Sequence, residues 1–203
     1  MKKVVKFGGS SLASAEQFRK VGSIIQADPE RRFVVPSAPG KRSRDDEKVT
    51  DMLYACYALA EEGSDFSEKL SAIRARYEEI IKGLSLKLSL DEEFQKIEEN
   101  FKNKAGKDYA ASRGEYLNGI VMAAYLKFPF IDAAEVIFFD EHGKFDDYKT
   151  DQVLSKRLEQ MDAAVIPGFY GSMPDGSVKT FSRGGSDITG SIVSRAVHAE
   201  VYE

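Results

Sequence analysis

The chain has 203 residues, is 42% hydrophobic and 31% charged, and carries a formal net charge of −4. That length suits one domain with a substantial core, the composition excludes disorder, and the acidic balance argues against a nucleic-acid partner. No apolar run approaches the roughly 20 residues that span a bilayer, Val4–Phe7 is too short and too quickly broken for a signal-peptide core, and a single cysteine fits a cytoplasmic location.

In chain order, Val4–Phe7 reads as a buried strand stopped by Gly8 and Gly9. A helix follows, with Phe18, Val21, Ile24 and Ile25 at helical spacing, ending near Asp28-Pro29. Phe33-Val34-Val35 is a second strand, ended by Pro36, which cannot donate to an interior ladder. A basic loop, Ser37 to Arg44, precedes an almost wholly helical stretch of segments near 49–62, 66–82, 91–104 and 108–127. Cys56 lies in the first of these, in apolar surroundings that suit a small buried side chain. Beyond it, 135–139 reads as a strand, 150–160 as a helix, 163–166 as a strand ending at Pro167-Gly168, and 178–181 as a short strand. Residues 187–198 read as a helix and 199–202 as the start of another strand. Strands alternating with helices predict an α/β fold with a largely parallel sheet covered on both faces, and the helical stretch 49–127 as an insertion beside it.

Three motifs carry chemistry. Lys6-Phe7-Gly8-Gly9-Ser10-Ser11 follows a strand and precedes a helix, a place where glycine lets backbone N–H groups approach an anion and a helix N-terminus adds partial positive charge. It is not a Walker A loop, because its lysine precedes the glycines. Taken alone it is equally well a tight turn with an exposed lysine. Ser182-Arg183-Gly184-Gly185-Ser186-Asp187 repeats the form; Arg183 suits bidentate grip of a carboxylate, while Asp187 could be simply a helix cap. In Ser112-Arg113-Gly114-Glu115, a helical Glu115 is ordinarily solvated. Two glycine turns beside a lysine and an arginine suggest a site for a polyphosphate and a second anion, and hence phosphoryl transfer. Only His142 and His198 are present, with no Cys/His cluster, which argues against zinc.

The conjunction of these motifs resembles the aspartate kinases of the amino acid kinase family. Val34-Val35-Pro36-Ser37-Ala38, Val49-Thr50-Asp51-Met52-Leu53 and the run Phe181 to Thr189 resemble further segments of that family, so the likeness spans essentially the whole chain. It implies a three-layer α/β/α sandwich, the amino acid kinase fold, apparently truncated: residues 1–203 correspond to the N-terminal portion of the catalytic domain, with the C-terminal nucleotide lobe and ACT domains absent.

The resemblance further implies transfer of the ATP γ-phosphoryl to the β-carboxylate of L-aspartate, giving 4-phospho-L-aspartate at the head of lysine, threonine and methionine biosynthesis. Lys6 and Asp187 are then catalytic, with Asp187 orienting Lys6. Lys6, Gly8, Gly9 and Ser10 hold ATP phosphates, and Ser37, Thr50, Glu115, Arg183 and Ser186 hold aspartate. Mg²⁺ arrives chelated by ATP rather than by a protein site, and the full-length protein is a homo-oligomer. Alternatives keep the fold and change the acceptor (glutamate, acetylglutamate, carbamate or UMP), or make the chain a non-catalytic fragment. With the nucleotide lobe missing, residues 1–203 alone are expected to be inactive.

Overall fold

A computed structural model describes residues 2–182 and 184–203. Four parallel strands form the central sheet in the order β3-β2-β1-β6, from Ala164–Val165 (β3), Arg31–Pro36 (β2), Lys3–Phe7 (β1) and Val201–Tyr202 (β6). β1 pairs with β2 from Lys3↔Arg31 to Phe7↔Pro36, so Pro36 stands at the end of the ladder, where its missing N–H costs nothing.

The strands alternate with period 2 between two separate cores. Val5, Val34 and Val165 point to one, packed by α1 (Ala15–Gln26), α2 (Val49–Glu61), α3 (Ser67–Gly83), α4 (Asp91–Lys102) and α5 (Lys107–Leu126). Val4, Phe33, Val35, Ala164 and Ile166 point to the other, packed by α6 (Ala133–Val136), α7 (Asp147–Glu159) and α8 (Gly185–Ala196). This is an α/β/α sandwich with a parallel sheet, as the hydrophobic pattern predicts.

The strand expected at 135–139 is not one. Asp132 caps a single helical turn there by accepting from Ala134 N–H, and Ile137 N–H donates to Ala133 O. Phe138 and Phe139 form only isolated bridges. A short apolar run reads alike as one helical turn or a strand, so the capping aspartate decides. Asp146 likewise caps α7 through Lys149 N–H and starts it three residues before the expected Thr150. The expected strand near 178–181 exists as β5 (Val178–Thr180), but it pairs antiparallel with β4 (Tyr170–Ser172), outside the main sheet. Three-residue β4, with a central glycine, carries too little pattern to be seen in the sequence.

Candidate active site

Strand order reverses about β1: β2 and β3 lie to one side and β6 to the other. The carboxyl ends of strands at such a switch point are where open parallel sheets bind ligands. The chain leaves β1 at Phe7, passes Gly8 and enters a short 3-10 helix, Gly9–Leu12. Lys6 shares its face of β1 with Val4, the side covered by α8. Its ammonium therefore reaches the first turn of that helix and pairs with Asp187 Oδ1 at 2.9 Å.

A Cβ on Gly8 would meet only Lys6 Nζ, at an ordinary contact distance of 3.8 Å. Gly9 is different. Its C=O accepts from Gly40 N–H at 2.8 Å, and a Cβ there would stand 2.8 Å from Ala38 O. Backbone meets backbone, binding the turn after β1 to the loop after β2. Neither Gly8 nor Gly9 is among the glycines at positive φ; at Gly9 it is close backbone approach, not left-handed geometry, that demands glycine.

Ser10, Ser37, Thr50 and Glu115 line one cleft of about 430 Å³ with Gly9, Pro39, Gly40, Lys41 and Lys48. Its floor is α5. Glu115 is only 6% exposed, and its Oε2 has no hydrogen-bond partner among the described residues. Burial pushes its pKa up to about 8, opposed by the N–H groups of Ala38 and of Glu115 itself and by the charge of Arg113. Tyr77 from α3 and Tyr54 from α2 also feel its charge, while Lys41 and Lys48 supply the cationic wall. A buried carboxyl with one unpartnered oxygen would be stabilised in its ionised form by a cation with N–H groups to donate.

Ser37 joins the cleft to α8: its hydroxyl donates to Ser186 Oγ at 3.0 Å. Gly168, in the loop after β3, lets Ser186 sit where a Cβ would lie 2.5 Å from its Oγ. Beside it Phe169 holds φ +84°, a left-handed conformation rare for an aromatic residue. That backbone is secured by Phe169 N–H donating to Thr189 Oγ1 at 3.1 Å, by Phe181 N–H donating to Phe169 O, and by Gly185, which leaves room for the ring. Strain held this firmly clusters at functional sites. Gly184 also takes positive φ, +59°, as the residue preceding α8.

The structure thus brings Lys6, Gly8, Gly9, Ser10, Ser37, Thr50, Glu115, Ser186 and Asp187 to one end of the sheet. Arg183 lies outside the described residues. Sequence reasoning assigned no role to three side chains. Arg76 is buried, donates to Gly40 O at 2.9 Å and Glu47 O at 3.1 Å and pairs with Asp46, anchoring the basic loop. Its place in the apolar stripe Ile73–Tyr77–Ile80 was the visible signal. Asn118, one turn after Glu115, donates to Ser37 O at 2.6 Å. Arg113 is buried beneath the site, its guanidinium 4.3 Å from the Tyr116 ring centroid and 4.6 Å from that of Tyr109. Among the described residues no group of three His, Cys, Asp or Glu side chains could hold a metal ion, and no helix is long and apolar enough to cross a membrane. Cys56 is fully buried, and burial pushes its pKa up to about 11, as befits a packing residue.

A parallel sheet with glycine turns, a strand lysine and a helix-borne aspartate at its carboxyl edge defines an open-sheet α/β protein with its candidate site at the switch point. A sequence model of the amino acid kinase family matches residues 1–203, and the chain belongs to that family. Among its relatives is Aspartokinase 3 of Bacillus subtilis, 40% identical, with the match covering 99% of this chain and 47% of the relative. The crystal structure of Clostridium acetobutylicum aspartate kinase superposes with a TM-score of 0.96 at 51% identity, covering all of this chain and 47% of that one. E. coli aspartokinase III, solved in complex with aspartate and ADP, gives 0.82 at 26% identity, again over all of this chain and 48% of the other. The chain spans about half the length of the relatives it matches.

Proposed function

We propose that the whole protein is an aspartate kinase, transferring the γ-phosphoryl group of ATP to the β-carboxylate of L-aspartate in the first step toward lysine, threonine and methionine. The observation that carries the reading is Glu115: a buried carboxyl that lines the same cleft as Gly9 and Ser10 and whose Oε2 has no partner among the described residues. It suits a substrate with a free ammonium group. An acetylated amine, a carbamate or UMP offers no such cation.

The acceptor carboxylate, with a pKa of about 4, is already ionised near neutral pH and needs no general base. The barrier is the approach of one anion to another, so catalysis rests on alignment and charge neutralisation. An oxygen of the β-carboxylate forms a bond to γ-phosphorus as the bond to the β,γ-bridging oxygen breaks, and ADP departs with that electron pair. Lys6 bridges the β and γ phosphates and meets the growing charge; Asp187, 2.9 Å away, holds the ammonium in place. Gly8, Gly9 and Ser10 receive phosphate oxygens, Arg183 and Ser186 a substrate carboxylate, and Ser37 and Thr50 orient the acceptor. Mg²⁺ would come with the nucleotide, and the chemistry it would supply is neutralisation of phosphate charge.

Full-length protein given ATP, Mg²⁺ and L-aspartate should release ADP and form an acyl phosphate trappable as a hydroxamate. Turnover of glutamate or acetylglutamate with none of aspartate would refute the reading. Residues 1–203 assayed alone should turn over poorly and lose ATP affinity more than aspartate affinity, since the relatives carry about as much chain again.

A further inference from the structure

Ser37 is held at three points. Its N–H donates to Phe7 O at 3.0 Å, its hydroxyl donates to Ser186 Oγ at 3.0 Å, and its C=O accepts from Asn118 Nδ2 at 2.6 Å. The first contact comes from β1 and the second from α8; the third comes from α5, the helix that carries Glu115. Asn118 lies three residues beyond Glu115, so both side chains leave α5 on one face. The same face presses Gly114 toward Ala38, where an added Cβ would stand 2.7 Å from Ala38 Cβ. Residues 37 and 38 therefore rest on a cradle made by Gly114, Glu115 and Asn118.

The chemistry of Asn118 is unusual for a buried residue. A backbone carbonyl only accepts, so the amide must turn its NH₂ group to Ser37. Its Oδ1 is then left buried with no partner among the described residues. A side chain that makes one hydrogen bond and strands one acceptor contributes little net stability. Stability does not account for asparagine at this position; the placement of Ser37 does.

We infer that Asn118 is a positioning residue: α5 uses its amide to fix Ser37 relative to Glu115, so that the Ser37 hydroxyl and the Glu115 carboxylate meet one substrate at a set separation. The inference rests on the reading of the cleft as an aspartate site. Asn118 acts through Ser37 and touches no reacting atom itself. Freed from the amide, Ser37 keeps its ties to β1 and α8 but loses its register with α5.

The test is a double-mutant cycle in the full-length protein, with Asn118→Leu and Asn118→Ala each made alone and in a Ser37→Ala background. The leucine matches the asparagine in shape, and the alanine covers the case in which leucine overpacks the site. Misplacement of a substrate-orienting group by about 1 Å costs up to about 100-fold. Either single variant should therefore raise the aspartate KM about tenfold, with a smaller change in the ATP KM and little change in melting temperature. In the Ser37→Ala background the same substitution should raise the aspartate KM less than about twofold, because there is no hydroxyl left to position. Effects that multiply across the two backgrounds, or KM changes that follow the melting temperature, would overturn the inference. Wild-type protein with no aspartate-dependent ADP release would instead overturn the function it rests on, so the two failures are distinguishable.

Discussion

Aspartate binding should expel a proton from Glu115. In the ligand-free fold burial lifts this carboxyl from an ordinary 4.5 to about 8. At pH 7 the ratio of protonated to ionised Glu115 is then about 10 to 1. An ammonium group seated against Oε2 stabilises the carboxylate and drives the pKa down again. Each binding event at pH 7 therefore releases close to one proton, and apparent affinity rises up to about tenfold per pH unit until it levels near pH 8. Titration calorimetry in phosphate and in Tris, buffers of low and high ionisation enthalpy, reads that proton directly as a difference in apparent heat.

The same carboxyl sets a stability trend without any ligand. The unfolded chain loses this proton near 4.5 and the folded one near 8, so between these values the folded state holds more protons. The contribution is fully present below about pH 4.5 and is lost as pH rises through 8, by about 3 kcal/mol at pH 7 and about 5 kcal/mol in all. Glu115→Gln, a neutral near-isostere, should flatten this slope, abolish the buffer-dependent heat and weaken aspartate binding. A binding heat identical in the two buffers at pH 7, or an aspartate affinity that is flat from about pH 6 to about pH 8, would refute the reasoning.

Lys6→Ala and Asp187→Ala should each collapse kcat with little rise in KM, since each removes charge used as the phosphoryl group moves. Their ion pair is partly exposed, so the melting transition should shift by less than about 1 kcal/mol; near-normal turnover by Lys6→Ala would show that the lysine faces elsewhere. Gly9→Ala drives a Cβ onto Ala38 O and Gly40 N, backbone atoms that cannot swing aside, and should cost about 1–3 kcal/mol by denaturation while also weakening aspartate binding through Ser37. Arg183→Lys keeps the charge and loses the planar fork, so the aspartate KM should rise well beyond the ATP KM; an unchanged aspartate KM would assign Arg183 to phosphate or solvent.

Much of the site was legible because its parts are local. Glycines between a strand and a helix mark a tight turn, and the short apolar runs at Val4–Phe7 and Phe33–Val35 mark strands buried on both faces. What was not legible depends on partners distant in the chain. Glu115 on a helix reads as a solvated face until the fold is seen to bury it and bring the Ala38 N–H to its carboxyl. The second role of Gly9 is invisible without Gly40, thirty-one residues later in the sequence. The run at 135–139 was misread because a single capped turn and a short strand share the same apolar pattern.

By itself, then, the chain's order of residues determined the strands of the main sheet, the two glycine-bearing motifs and the family, for these rest on spacing and residue type within short windows. Tertiary structure alone decided that Lys6 meets Asp187 across 181 positions of sequence, that Ser37 is shared between α5 and α8, and that Glu115 is buried in the cleft lining with its Oε2 unpartnered among the described residues. The reason is physical: charge pairing, desolvation and close backbone approach are functions of distance in space, and folding sets those distances by packing elements against the two faces of the sheet.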